Sequence, residues 1–111
     1  MPTSVMSKIE TITDQHISTL LGGQGLQVVL MSSPWDGNGI IMLNILQGVA
    51  SQHREIGFYH ADYEASPRLG RLFNLLSPPG ILFLKDGELV NRVTKPMSAG
   101  SLQDLINNLT R

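Results

Sequence analysis

The segment from Ser33 to Gly39, SPWDGNG, is the stretch of this chain whose residue types and spacing most suggest a site. It lies between an apolar run, residues 26–31, and a run of helical periodicity, residues 39–52. A strand, a glycine-rich turn and a helix start often form a ligand site, because first-turn N–H groups lack intrahelical partners. This turn, however, contains no cysteine, lysine or histidine, so it offers no obvious nucleophile or set of metal ligands.

Asp36 is the ionisable residue of this segment, and two interpretations of it compete. Asp is a preferred N-cap residue, worth about 1 kcal/mol over Ala, so we expect Asp36 to cap the following helix while Gly37 and Asn38 let the chain turn. Alternatively, Gly37 and Gly39 would let backbone N–H groups approach a ligand, although the Asp36 carboxylate would repel an anion. The chain carries no P-loop or dinucleotide fingerprint that would support such a site.

Other residue types that could do chemistry are scattered along the chain. His60 and Asp62 alternate at the edge of a predicted strand, a spacing that lets both side chains point the same way, but a metal needs more ligands than this pair. His53 follows a predicted helix, where an imidazolium is often a partner of the helix dipole. Ser32 and Ser33 lie outside any Gly-x-Ser-x-Gly elbow. We therefore expect Ser32 and Ser33 to be turn residues. We expect no metal, no cofactor and no serine- or histidine-based active site in this protein.

The composition excludes several classes of function. The chain has 111 residues, a net charge of −1 and no cysteine. The lack of cysteine excludes disulfides, thiol catalysis and cysteine-ligated metal centres. A near-zero charge without a basic stripe argues against nucleic-acid binding. No apolar run reaches the length of a membrane span, and the N-terminal residues lack a signal-peptide pattern, which predicts a cytoplasmic protein. The length fits one domain over residues 1–111.

Helical and strand patterns alternate along the sequence. Helices are predicted over residues 7–21, 39–52, 67–76 and 98–109, and strands over residues 26–31, 55–61, 81–84 and 88–93. The alternation implies right-handed parallel crossover units. The last two strands, joined by Lys85-Asp86-Gly87, form an antiparallel hairpin. These patterns predict an α/β protein with a central mixed sheet of four to five strands and helices on both faces.

This order and several motifs resemble the thioredoxin superfamily over most of the chain, from about Leu26 to Leu109. Residues 28–39, VVLMSSPWDGNG, are similar to the family's strand followed by Trp-Cys-Gly-Pro-Cys. Residues 58–75 are similar to its Asp-containing turn and following helix, and residues 77–90 to its cis-proline segment and terminal hairpin. The resemblance matches Trp35 to the tryptophan before the active site, Pro79 to the cis-proline and Gly87 to the hairpin glycine.

The residues that carry the family's chemistry are missing. Asp36 stands at the position of the nucleophilic cysteine and Gly39 at that of the resolving cysteine, with Asn38 in place of the proline between them. Leu30 stands where the family has a buried acid that handles protons. Thiol–disulfide exchange requires a thiolate to attack a disulfide sulfur. The resemblance therefore implies the thioredoxin fold without reductase or isomerase activity.

What the resemblance still implies is a surface for a partner. In the family, backbone beside the cis-proline pairs with an extended peptide, and such pairing needs no thiol. Aromatic and Met side chains suit a surface of this kind. The predicted partner-binding residues are Pro34, Trp35, Asp36, Gly37, Asn38, Gly39, Pro78, Pro79, Gly80 and Met97.

We therefore expect a redox-inactive, non-enzymatic adaptor or chaperone-like accessory that binds a protein or extended peptide. No cofactor, nucleic acid or membrane is expected among its ligands. One alternative is a structural or oligomerisation role through a sheet edge or an apolar helix face. The other is a non-thiol enzyme that uses Asp36 as an acid or base.

Overall fold

Residues 8–111 are described by the structure, a computed structural model. In this part of the chain the strands alternate with helices until a final hairpin and helix. The elements are β1 (Ile9–Ile12), a 3-10 turn (Asp14–His16), α1 (Ile17–Leu21), β2 (Leu26–Ser32), α2 (Gly37–Ala50), β3 (Gly57–Asp62), α3 (Pro67–Leu72), β4 (Gly80–Lys85), β5 (Glu88–Val93) and α4 (Ala99–Leu109). This arrangement confirms the predicted α/β class.

The five strands form one mixed sheet in the order β1-β3-β2-β4-β5. β3 pairs in parallel with both β1 and β2, whereas β4 pairs antiparallel with β2 and β5. Ser32 at the end of β2 is opposite Asp62 at the end of β3, and Met31 is opposite Gly80, where β4 begins. We call this end of the sheet, where β2 and β3 stop and β4 starts, the upper end.

The first predicted helix, residues 7–21, is wrong over its first half. Residue 7 lies outside the described residues, and Ile9–Ile12 is an edge strand. Ile9 packs in the core on one face of the sheet and Ile12 in the core on the other. In a strand, residues three apart point to opposite faces. Because both faces of this strand pack against a core, its two buried residues are spaced like those of an amphipathic helix.

Helices cover both faces of the sheet, as predicted. On one face α2 and α4 pack against alternate residues of the strands, including Val28, Leu30, Phe58 and Phe83. On the other face α1 and α3 pack against the residues between them, including Val29, Met31 and Leu82. All seven residues of β2 are buried, because the strand is central and covered on both sides.

Local signals account for the ends of the elements. Asp86 and Gly87 both have positive φ, which confirms the Asp-Gly hairpin turn between β4 and β5. The third helix ends at Leu72 instead of the predicted residue 76. Asn74 adopts a φ of 57°, and the N–H of Leu75 donates back to the Gly70 carbonyl at 2.8 Å, which closes the helix.

The second helix is offset from its prediction by two residues at each end. It runs from Gly37 to Ala50 instead of 39 to 52, so Gly37 and Asn38 belong to the first helical turn. Within residues 8–111, no helix is long and apolar enough to cross a membrane.

Candidate functional site

Asp36 is the N-cap of α2, as the sequence predicted. Its Oδ1 accepts a hydrogen bond from the Asn38 N–H at 2.9 Å, and its own N–H donates to the Ser33 carbonyl at 3.1 Å. The cap satisfies one of the first-turn donors that lack an intrahelical partner. The carboxylate is thus engaged by the backbone at the position where the family has its nucleophile.

Gly39 does not leave room for the thiol that its alignment position would carry. The residue is buried in the first turn of α2, and a Cβ placed on it would lie 2.8 Å from the Ser32 Cβ. Carbon atoms not bonded to each other are in contact at about 3.5–4.0 Å. Glycine is therefore needed here for the close approach of α2 to β2.

Leu30, at the position of the family's buried acid, is fully buried within β2. It belongs to the apolar core between the sheet and the helices α2 and α4. The chain contains no cysteine, so thiol oxidoreductase chemistry is impossible for it.

Trp35 projects from the β2–α2 loop with 79% of its surface exposed. Its indole Nε1–H donates to Glu64 Oε1 at 3.2 Å, which ties this loop to the segment following β3. Pro34 beside it is also exposed. The indole is thus held at one polar atom while most of its surface faces solvent.

The Pro78–Pro79 segment enters β4 at the upper end of the sheet, and the peptide bond between the two prolines is cis. Pro79 and Gly80 are buried and Pro78 is half-buried, whereas Leu76 just before them is 84% exposed. A groove of about 380 Å³ runs along this segment. Its lining consists of Asn74, Leu75, Leu76, Ser77, Pro78, Pro79, Arg92, Thr94 and Lys95.

The upper end of the sheet therefore brings most of the predicted partner-binding residues to one end of the molecule. Their exposure differs widely. Pro34, Trp35, Gly37 and Asn38 are exposed, Asp36, Pro78 and Met97 are half-buried, and Gly39, Pro79 and Gly80 are buried. Met97 packs against the core beneath α2 and α4 and does not line the groove along Pro78–Pro79.

Ser32 and His60 form a pair that the sequence interpretation missed. Their Oγ and Nε2 atoms are 2.7 Å apart, at the carboxyl ends of the adjacent parallel strands β2 and β3. Burial lowers the pKa of His60 below its ordinary value of 6.5, while the nearby Asp62 carboxylate partly opposes this shift. One signal in the sequence could have revealed this pair. Polar residues stand at the carboxyl ends of two strands predicted to be parallel, and such ends lie side by side at one end of a sheet.

The remaining histidines do not gather into a site. His53 lies just beyond α2, where its Nε2 is 2.6 Å from the side-chain nitrogen of Gln103 on α4. His16 caps the 3-10 turn by accepting the Thr13 N–H. Among the described residues, no group of three or more His, Asp or Glu side chains is placed to hold a metal ion.

Comparisons with known proteins connect this geometry to a fold. No family model matches the sequence. The chain is 29% identical to glutaredoxin 3 of Danio rerio over 70 residues, which is 63% of this chain and 22% of that protein. It is 26% identical to glutaredoxin-3 of Bos taurus over 73 residues, which is 66% of this chain and 22% of that protein. The chain thus matches only about a fifth of the length of these relatives.

A point mutant of thioredoxin from Halobacterium salinarum NRC-1 superposes on the chain with a TM-score of 0.83. The two are 15% identical, and the superposition covers 98% of this chain and 97% of that one. The chain therefore has the thioredoxin fold, and the predicted resemblance to the thioredoxin superfamily is confirmed.

Proposed function

We propose that this cysteine-free thioredoxin-fold chain is a non-catalytic module that binds a protein or an extended peptide, as a cytoplasmic adaptor or chaperone-like accessory. The observation that carries the proposal is the exposed Trp35, together with Leu76 and Ile40, which are 84% and 56% exposed. These three apolar side chains and the prolines Pro34, Pro78 and Pro79 belong to segments at the upper end of the sheet. We call this set the Trp35–Pro79 face.

Exposed apolar side chains are common singly, but a group of them more often marks an interaction surface. Tryptophan is the residue type most enriched among binding hot spots, because it buries a large area and loses little rotamer entropy. The indole of Trp35 donates one hydrogen bond to Glu64, which restricts its side chain before a partner arrives. This restriction would lower the side-chain ordering cost of binding.

The groove along Pro78–Pro79 supports an extended partner. Neither the N–H nor the C=O of Ser77 has a hydrogen-bond partner among residues 8–111. Next to it, the Arg92 guanidinium donates to the carbonyls of Phe73 and Asn74, both at 2.9 Å, which holds the wall of the groove. A peptide in extended conformation would pair with the free backbone groups of Ser77 and place side chains toward Leu76.

The alternative in which Asp36 catalyses a reaction is less well supported. The Asp36 carboxylate accepts the Asn38 N–H and so already serves as the N-cap of α2. Among residues 8–111, no basic side chain forms a hydrogen bond or an ion pair with it. We therefore favour binding over catalysis at this position.

The test is affinity capture from the native host followed by chemical-shift mapping of the captured partner. Trp35→Ala and Leu76→Ala are each expected to weaken the complex by about 2 kcal/mol, or roughly 30-fold. Val90→Ala is the matched control, because Val90 is an exposed apolar residue, at 44%, on the edge strand β5.

Chemical-shift changes should concentrate at Trp35 and at the residues flanking Pro79. If Val90→Ala weakens the complex while Trp35→Ala and Leu76→Ala do not, the partner binds the sheet edge and the proposal is wrong. Self-association of the chain, measured by sedimentation at several concentrations, would instead favour the oligomerisation alternative.

A further inference from the structure

We propose that the cavity beneath the first turn of α2 binds a small aromatic molecule that carries one hydrogen-bond donor, with phenol as the simplest example. The cavity shares Pro34 and Ile40 with the Trp35–Pro79 face, but its lining includes neither Trp35 nor any residue of the groove along Pro78–Pro79. It has a volume of about 200 Å³ and is lined by Ser32, Ser33, Pro34, Gly39, Ile40, Leu43, His60 and Asp62.

The size and the walls of the cavity suit one aromatic ring. A cavity of roughly 150 Å³ is known to hold benzene, so the volume here accommodates a six-membered ring with one substituent. Pro34, Ile40 and Leu43 supply an apolar wall. Gly39 lines the cavity with backbone, and it is held to glycine because a Cβ would collide with Ser32.

The polar wall of the cavity, formed by Ser32, His60 and Asp62, offers more free hydrogen-bond acceptors than donors. Asp62 is an acceptor through both carboxylate oxygens. Its Oδ1 accepts the N–H groups of Glu64 at 2.9 Å and Ala65 at 3.4 Å, and its Oδ2 has no hydrogen-bond partner among residues 8–111. Ser32 and His60 satisfy each other at 2.7 Å.

No lysine or arginine lines this cavity, and burial favours the neutral form of His60. The free acceptor capacity of Asp62 is therefore not cancelled by a neighbouring cation. A ligand is expected to bind most tightly when its apolar ring packs against Ile40 and its single O–H or N–H donates to Asp62. A ligand without a donor would cover the Asp62 carboxylate without giving it a hydrogen bond, which costs free energy.

The test uses phenol and anisole in ¹H–¹⁵N titrations of the full chain. The two probes share a ring, but the oxygen of anisole cannot donate. Phenol is expected to cause saturable shifts at Ser32, Gly39, His60 and Asp62, with a dissociation constant on the order of 1 mM. Anisole is expected to bind at least about tenfold more weakly. Equal binding of the two, or shifts that do not saturate at these residues, would overturn the proposal.

Asp62→Asn is the informative variant, and Asp104→Asn is its matched control. The amide oxygen of Asn can still accept the N–H groups of Glu64 and Ala65, so the loop is expected to keep its fold, which the spectrum reports directly. Asp62→Asn should lower phenol affinity about tenfold, whereas Asp104→Asn, on the exposed face of α4, should leave it unchanged. An unchanged affinity in Asp62→Asn would refute the role given to this carboxylate.

Two sources could supply such a group, a free small phenol or a tyrosyl side chain of a peptide. The probes p-cresol and N-acetyl-L-tyrosinamide distinguish them, because they carry the same ring with and without peptide groups. Binding of both points to a tyrosyl side chain, and binding of p-cresol alone points to a free small molecule. If neither binds, the site is refuted. Trp35→Ala should leave phenol binding unchanged, so this inference and the proposed function fail separately.

Discussion

Replacing Gly39 by alanine tests the close contact between α2 and β2 on which the site depends. The added Cβ would lie 2.8 Å from the Ser32 Cβ, about 1 Å inside the usual carbon–carbon contact distance. Relief requires the helix or the strand to move, and overpacking of this kind costs typically about 1–3 kcal/mol. Alanine gains about 1 kcal/mol over glycine as a helix former. We expect a net loss of about 1 kcal/mol in the free energy of unfolding.

The measurement is chemical denaturation of Gly39→Ala beside Gly48→Ala. Both glycines lie in α2, but a Cβ on Gly48 would meet no atom within 4 Å. Gly48→Ala should therefore be stabilising by about 0.5–1 kcal/mol, through helix propensity and a less flexible unfolded chain. The two variants should differ by roughly 2 kcal/mol, or about 10 °C in the midpoint of thermal unfolding.

A double-mutant cycle locates the cause. If the loss arises from the Ser32 Cβ, Gly39→Ala in a Ser32→Gly background should cost about 1–2 kcal/mol less than in the parent chain, because the colliding atom is gone. Additive effects, or a Gly39→Ala variant as stable as Gly48→Ala, would refute the reasoning. A resolving cysteine at position 39 would carry the same Cβ, so restoring thiols at positions 36 and 39 should also be destabilising.

Three further predictions concern the cap, the hairpin and His60. Asp36→Ala should lower the free energy of unfolding by about 1 kcal/mol, while Asp36→Asn, another good N-cap, should change it little; an equal loss in both would show that charge, not capping, matters. Gly87→Ala should cost about 2 kcal/mol or more, because Gly87 has a φ of 85° and a Cβ there would collide with the Leu21 carbonyl. Because burial lowers the pKa of His60, the unfolded chain binds more protons than the folded one just below pH 6.5. Stability should therefore rise with pH up to about 6.5 and then level off, and His60→Gln should remove that part of the slope in denaturation curves at pH 5–8.

The helix cap and the hairpin were predictable because they depend on neighbours in the sequence. Asp36 reaches an N–H two residues away, and the Asp86-Gly87 pair sets its own turn through positive φ values. The strand β5 was predicted over its full extent, Glu88–Val93. It begins directly at that turn, so its boundary is also a local property.

The first segment shows why periodicity alone misled. Ile9 and Ile12 are spaced as on a helix, yet they lie on opposite faces of an edge strand that pairs with Phe58 and its neighbours in β3. The pairing partner is almost fifty residues away, so nothing local distinguishes a doubly buried strand from a helical stripe. Similarly, Asn74 ended α3 through a positive φ that the sequence pattern did not reveal.

The absence of cysteine limits the chemistry that this protein can perform. A chain without cysteine has no thiolate, and no folding can supply one, so the loss of thiol chemistry follows from composition alone. The Ser32–His60 pair, the crowding of Gly39 against Ser32 and the cavity that they border depend on tertiary packing. Ser32 and His60 are 28 residues apart and meet through the parallel register of β2 and β3. Gly39 is close to Ser32 in the chain, but their contact depends on how α2 packs against β2.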